Sequence, residues 1–128
     1  MIKPEFSYGN SRVDFYFECG SRKILMEVKG VTLERDGIGY FPDAPTQRGI
    51  KHINELIKAT DEGYETYLAF VIQMNGIKEV RPNTEAHPEF GEAIERAKKA
   101  GVRVIFLECE VESDEVKISG EEVLNYEI

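Results

Sequence analysis

Tryptophan is absent from this sequence of 128 residues, and cysteine and histidine occur only twice each. Cys19 and Cys109 do not stand in CxxC spacing, so neither a thiolate zinc site nor a disulfide framework is encoded, and a cytoplasmic protein with reduced thiols is the default expectation. His52 and His87 are too few and too far apart for a histidine zinc site. No nucleophile-elbow pattern appears, which leaves Ser/His/Asp and Cys/His hydrolases without support. No apolar run approaches the roughly 20 residues a membrane span needs. Met1-Ile2-Lys3-Pro4-Glu5 does not read as a signal peptide, so no membrane partner is expected.

An excess of basic charge is also missing. The net charge of −8 argues against simple polyanion binding, because affinity for phosphates comes mostly from Lys and Arg. Its distribution softens the objection. The first sixty residues carry nine Lys/Arg against eight Asp/Glu, the rest seven against sixteen. Nucleic-acid contacts, if present, belong to the first half. The plainer reading of any one charge cluster is a solvated surface. With 41% hydrophobic and 31% charged residues, the chain is expected to fold as one globular domain over 1–128.

Apolar and β-branched residues predict strands over about 11–18 and 22–32, joined by a turn at Cys19-Gly20-Ser21. Glu34-Arg35-Asp36-Gly37 reads as a turn and Gly39–Pro45 as a loop with two prolines. Ile50, Ile53, Leu56 and Ile57 recur at helical spacing, predicting a helix over about 46–60 capped by Thr46 or Asp43 and ended by Gly63. Tyr67–Ile72 is a continuous apolar run and reads as a buried central strand. His87-Pro88-Glu89 opens a second helix to about Ala100, with Phe90, Ala93, Ile94 and Ala97 inward and Gly101 as its C-cap. Val102–Leu107 is another buried strand, and 110–128 is acidic and edge-like. The pattern is α/β: a mixed sheet flanked by helices.

The candidate chemistry lies in the first hairpin. Alternation puts Glu27 and Lys29 on one face of a strand with Val28 pointing away, and the hairpin brings Asp14 toward Glu27. Phosphodiester hydrolysis needs an activated water, neutralised charge at phosphorus and help for the leaving oxygen. A hard divalent ion on oxygen ligands serves all three. Asp14, Glu27 and the carbonyl of Val28 would bind Mg²⁺ or Mn²⁺, and Lys29 would orient the water or stabilise developing charge. Glu-x-Lys alone is a weak signal, as a second copy at Glu115-Val116-Lys117 shows; that copy has neither a hairpin aspartate nor a basic helix after it. The alternative is a cross-strand ion cluster on a solvated face. Pro42-Asp43 follows Glu27 and is read as a turn and cap, not as the metal-binding aspartate. Further on, Gln47, Arg48, Lys51 and His52 pair at i,i+4 on the polar flank of the first helix, either as phosphate contacts or as a solvated face. Gly49 in this helix would permit close backbone approach.

Four blocks, Tyr8–Phe15, Glu27–Leu33, Tyr40–Thr46 and Arg48–Leu56, together resemble the sugar fermentation stimulation protein A (SfsA) family, in order over about residues 8–118. The resemblance implies a PD-(D/E)xK nuclease-like domain with the restriction-endonuclease-like fold. It carries metal roles onto Asp14 and Glu27 and the catalytic lysine role onto Lys29. It also marks Tyr40, Asp43, Arg48, Lys51 and His52 as site-lining. The expected nucleic-acid contacts are Arg12, Arg35, Tyr40, Gln47, Arg48, Lys51 and His52. Family members usually carry an N-terminal OB-type barrel and a helix before the Tyr8 block. These 128 residues begin just before that block, so the expectation is a domain without the barrel or the usual first helix, with Glu5 a weak substitute for an acidic residue of that helix. Core left uncovered there would favour a homodimer. The expected activity is Mg²⁺-dependent cleavage of DNA or RNA without strong sequence specificity. A DNA-binding regulator of sugar metabolism with a vestigial metal site, and a purely structural partner domain, are the alternatives.

Overall fold

The apolar run at Tyr67–Ile72 lies in the middle of a sheet, as its composition predicts. In a computed structural model the described residues are 2–8, 11–31, 33–42, 46–72, 74, 76–112 and 115–121, with side chains described except at 3, 6, 7, 11, 12 and from 108 on. The strands are β1 (Ile2–Tyr8), β2 (Ser11–Cys19), β3 (Arg22–Val31), β4 (Leu33–Arg35), β5 (Ile38–Phe41), β6 (Glu65–Ile72), β7 (Glu79–Pro82), β8 (Arg103–Glu112) and β9 (Glu115–Glu121). The helices are α1 (Gln47–Asp61) and α2 (Pro88–Ala100).

Six strands form one mixed sheet in the order β1-β2-β3-β6-β8-β9. The β3–β6 and β6–β8 pairs are parallel and the others antiparallel. A small second sheet runs β4-β5-β7. The mixed sheet flanked by helices agrees with the expected class, and the described residues contain two helices. Ile2–Tyr8, for which the sequence pattern predicts no element, forms a strand on the edge of β2. The second Glu-Val-Lys falls on edge strand β9.

One face of the sheet is covered and carries Tyr16, Leu25, Val31, Leu68, Phe70 and Phe106, all nearly inaccessible. Ile53, Leu56 and Ala59 of α1 and Phe90, Ala93, Ile94 and Ala97 of α2 complete this core. The alternating residues Phe15, Phe17, Ile24, Met26, Tyr67 and Val71 are only half-buried on the opposite face.

Two expectations need correction. Asp36-Gly37 is a turn, but Glu34 and Arg35 belong to β4 and Ile38–Phe41 to β5, a hairpin whose turn residues take positive φ of 55° and 80°. The segment from Gly39 to Phe41 is therefore strand, not loop, because it pairs in parallel with β7, a strand with no strong sequence signal. Helix α1 starts as predicted: Thr46 Oγ1 accepts from Gly49 N at 2.9 Å. Asp43, the other candidate cap, lies outside the described residues. Helix α2 begins at Pro88 and ends on Gly101 with φ 106°, as predicted.

Candidate functional site

Strands β2 and β3 stay paired as far as Phe15 and Met26. One step further the same register sets Asp14 against Glu27. Here the Asp14 side chain replaces the backbone ladder: its Oδ2 accepts from Val28 N at 2.7 Å. In an antiparallel ladder the N–H and C=O of one residue face the same neighbour, so the Val28 carbonyl also lies on Asp14's side. On the other edge of β2, the register places Glu5 opposite Asp14; Glu5 drops out of the pairing and takes φ 52°.

The hairpin opens into a cleft of about 390 Å³ lined by Asp14, Glu27, Val28, Lys29, Arg48 and His52. Glu5, Val13, Thr46 and Gly49 complete the wall. Glu27 is the unusual member, a carboxyl only 3% exposed. Burial is the main cause pushing it up to about 7; Lys29 pulls the other way and Asp14 adds to the rise. Its Oε1 lies 3.7 Å from Lys29 Nζ and 3.4 Å from His52 Nδ1.

Lys29 Nζ and His52 Nδ1 are 2.9 Å apart. A lysine ammonium has only donors, so Nδ1 accepts and the neutral ring carries its proton on Nε2. The charge state agrees: burial, then Lys29 and Arg48, hold His52 below its ordinary value. The ring thus orients the lysine without competing with it as a cation.

Helix α1 carries His52 and Arg48 at the cleft, and Gly49 lets its first turn close on the Thr46 cap and on Phe90 of α2. A Cβ on Gly49 would stand 2.8 Å from Thr46 Cγ2 and 3.1 Å from Phe90 Cε2. The cap is braced from behind by His87, whose Nδ1 accepts from Thr46 N at 3.0 Å. Sequence reading placed His87 only as a helix-entry residue; a contact across 41 positions leaves no local signal.

The other expected contacts divide. Gln47 and Lys51 are exposed on α1 and do not line the cleft. Arg35 and Tyr40 sit together on the small sheet, in a separate hollow. Arg12 is on β2, with its side chain outside the described set.

Chemically, two neighbouring carboxylates and a carbonyl form an oxygen-rich edge suited to a hard divalent ion. A dication would offset both the burial that raises Glu27 and the smaller repulsion from Asp14. Among the described residues there is no group of three or more His, Cys, Asp or Glu placed to hold a metal ion by itself. Magnesium commonly needs no such group, since it keeps waters and takes one or two carboxylates plus substrate phosphate.

This site belongs to a recognisable lineage. The family model described as "Sugar fermentation stimulation protein RE domain" matches residues 1–115. The chain belongs to the SfsA family. It is 52% identical over 118 residues to a sugar fermentation stimulation protein homolog of Clostridium beijerinckii, covering 92% of this chain and 52% of that protein. A homolog from Desulfitobacterium hafniense (strain Y51) is also 52% identical, over 116 residues, covering 91% and 51% respectively. The chain thus spans about half the length of the curated relatives it matches. Among solved structures, Pyrococcus furiosus SfsA in complex with Ca²⁺ superposes with a TM-score of 0.89 at 32% identity, covering 98% of this chain and 54% of that one. Among the described residues, no helix is long and apolar enough to cross a membrane.

Proposed function

We propose that this domain is a divalent-metal-dependent phosphodiesterase acting on DNA or RNA. One observation carries the reading: Asp14, the buried Glu27, the Val28 backbone and a histidine-held Lys29 converge on one cleft. That the Pyrococcus furiosus relative was solved in complex with Ca²⁺ supports a divalent ion as the cofactor. For catalysis we propose Mg²⁺ or Mn²⁺, on Asp14, Glu27 and the Val28 carbonyl. Such an ion supplies Lewis acidity at the phosphoryl group and acidifies a bound water.

The chain's own residues divide the remaining work. Glu27 must be ionised to bind the ion, and burial makes this unfavourable until a cation arrives. Asp14 orients the edge through its bond to Val28. Lys29, steered by His52, points its charge at the water or at the oxygens that gain charge during attack. Arg48, exposed at the mouth of the cleft, meets an incoming phosphate. We propose cleavage of weak sequence preference, in which binding rests on phosphate contacts that carry no base information.

The net charge of −8 favours one rival, a DNA-binding regulator that relies on another segment for affinity and keeps only a vestigial metal site. Lys29→Ala separates the two. On the phosphodiesterase reading, cleavage of an oligonucleotide falls by about 10²–10³, while Mn²⁺ binding measured by calorimetry changes little. Cleavage that survives the substitution removes Lys29 from the mechanism.

A further inference from the structure

Away from the metal cleft, a second hollow of about 250 Å³ opens on the small sheet, lined by Arg35, Tyr40, Arg81, Asn83, Thr84 and Glu85 among others. Tyr40 has an arginine on each neighbouring strand, Arg35 on β4 and Arg81 on β7. Arg35 lies over its ring, 5.8 Å from the centroid. Arg81 is its cross-strand partner in the parallel β5–β7 register. The Arg81 guanidinium is steadied by Glu79, with Nε 2.8 Å from Oε2. Arg35 faces Glu85 at 3.7 Å, with their side chains 58% and 87% exposed. A pair so open to water is worth little and exchanges readily for another anion.

The hollow has no lining residue in common with the metal cleft, but a path of hydrogen bonds joins the two. Asn83 Nδ2 donates to the Pro42 carbonyl at 3.0 Å, and Asn83 O accepts from His87 N at 2.9 Å. His87 in turn accepts from Thr46 N, and Thr46 lines the metal cleft.

We infer that this second hollow is a subsite for the nucleic-acid strand beyond the scissile phosphate, with an unstacked base laid on the Tyr40–Arg35 pair and its phosphate beside Arg81. An aromatic face with an adjoining guanidinium plane is what a splayed base needs. An acidic peptide would use the guanidinium groups and leave the ring without a role. The strand is single-stranded here, because bases in a duplex do not present their faces. The inference rests on the phosphodiesterase reading for where the strand is cut, but not for whether it binds.

Binding therefore tests it without cleavage. The probe is a fluorescein-labelled oligothymidylate long enough to span both hollows, read by anisotropy in EDTA. Tyr40→Leu keeps strand packing and should weaken binding about tenfold. Arg35→Gln should weaken it and reduce the log–log salt slope by about 0.7. Glu85→Gln, at a highly exposed position, should tighten binding about threefold by freeing Arg35. Wild-type affinity in both Tyr40→Leu and Glu85→Gln overturns the inference, as does failure of the unaltered chain to bind within the nonspecific range of about 10⁻⁴–10⁻⁶ M. The two readings fail separately. Expected binding changes without Mg²⁺-dependent cutting remove the phosphodiesterase but keep the subsite. Cutting with no effect of these variants on binding does the reverse.

Discussion

Lys29 Nζ lies 2.9 Å from His52 Nδ1, and this contact ties the second strand of the hairpin to the first helix. It fixes the direction of a flexible four-carbon side chain that would otherwise sample many rotamers. His52 is thus a positioning residue acting through Lys29. His52→Ala should lower kcat for oligonucleotide cleavage by about tenfold to a hundredfold, the scale set by misplacing a reacting group by an ångström. KM should change little. His52→Asn, whose side-chain carbonyl stands near the Nδ1 position, should recover part of the loss. Steady-state kinetics on the three proteins check this; equal losses in Ala and Asn, or a change confined to KM, contradict it.

Glu27 makes stability depend on pH in a defined direction. Its ordinary value of 4.5 rises to about 7 in the fold, chiefly by burial. Between these values the metal-free folded protein holds a proton that the unfolded chain has released. The stability contribution is full below pH 4.5 and is lost as pH rises through about 7. Urea unfolding in EDTA should therefore show a decline on the order of 2 kcal/mol across that window. Glu27→Gln should flatten it and abolish cleavage. Mg²⁺ should restore stability on the alkaline side, where the ligand is ionised. A flat profile in the unaltered chain contradicts the buried charge.

Gly49 is a test of how tightly the first turn of α1 packs. Alanine is ordinarily the better helix residue by about 1 kcal/mol. Here its Cβ would meet Thr46 and Phe90, an overpacking that costs about 1–3 kcal/mol. Gly49→Ala should lower Tm and, by displacing the Thr46 cap, reduce cleavage as well. A raised Tm would mean that the cap has room to move.

The sequence made the centre of the fold legible wherever a pattern was local. Alternation in β3 correctly assigned Glu27 and Lys29 to one face. Thr46, Gly63, Pro88 and Gly101 bounded both helices. Tyr67–Ile72 announced a central strand through its unbroken apolar run. The failures are non-local. β1 contains Pro4 and several polar residues, and it becomes a strand by pairing with β2. β5 and β7 are four residues each, and their parallel pairing joins segments far apart in the chain. The same physics governed the site. Asp14, Glu27, Val28 and Lys29 come from one hairpin and could be grouped in advance. The brace from His87 to Thr46 and the place of Arg81 beside Tyr40 depend on tertiary packing, and the separation of Arg35 and Tyr40 from the metal cleft follows from the small sheet that had been read as a turn and a loop.

Asp14→Asn provides the most direct test. Asparagine retains an oxygen acceptor for Val28 N, so the strand geometry survives while the negative charge is removed. The unaltered chain and this variant should be incubated with single-stranded DNA, double-stranded DNA and RNA in Mg²⁺, Mn²⁺ or EDTA. The account predicts cutting that requires the divalent ion, stops in EDTA and is lost in Asp14→Asn. Absence of metal-dependent cutting by the unaltered chain, or equal cutting by the variant, contradicts it.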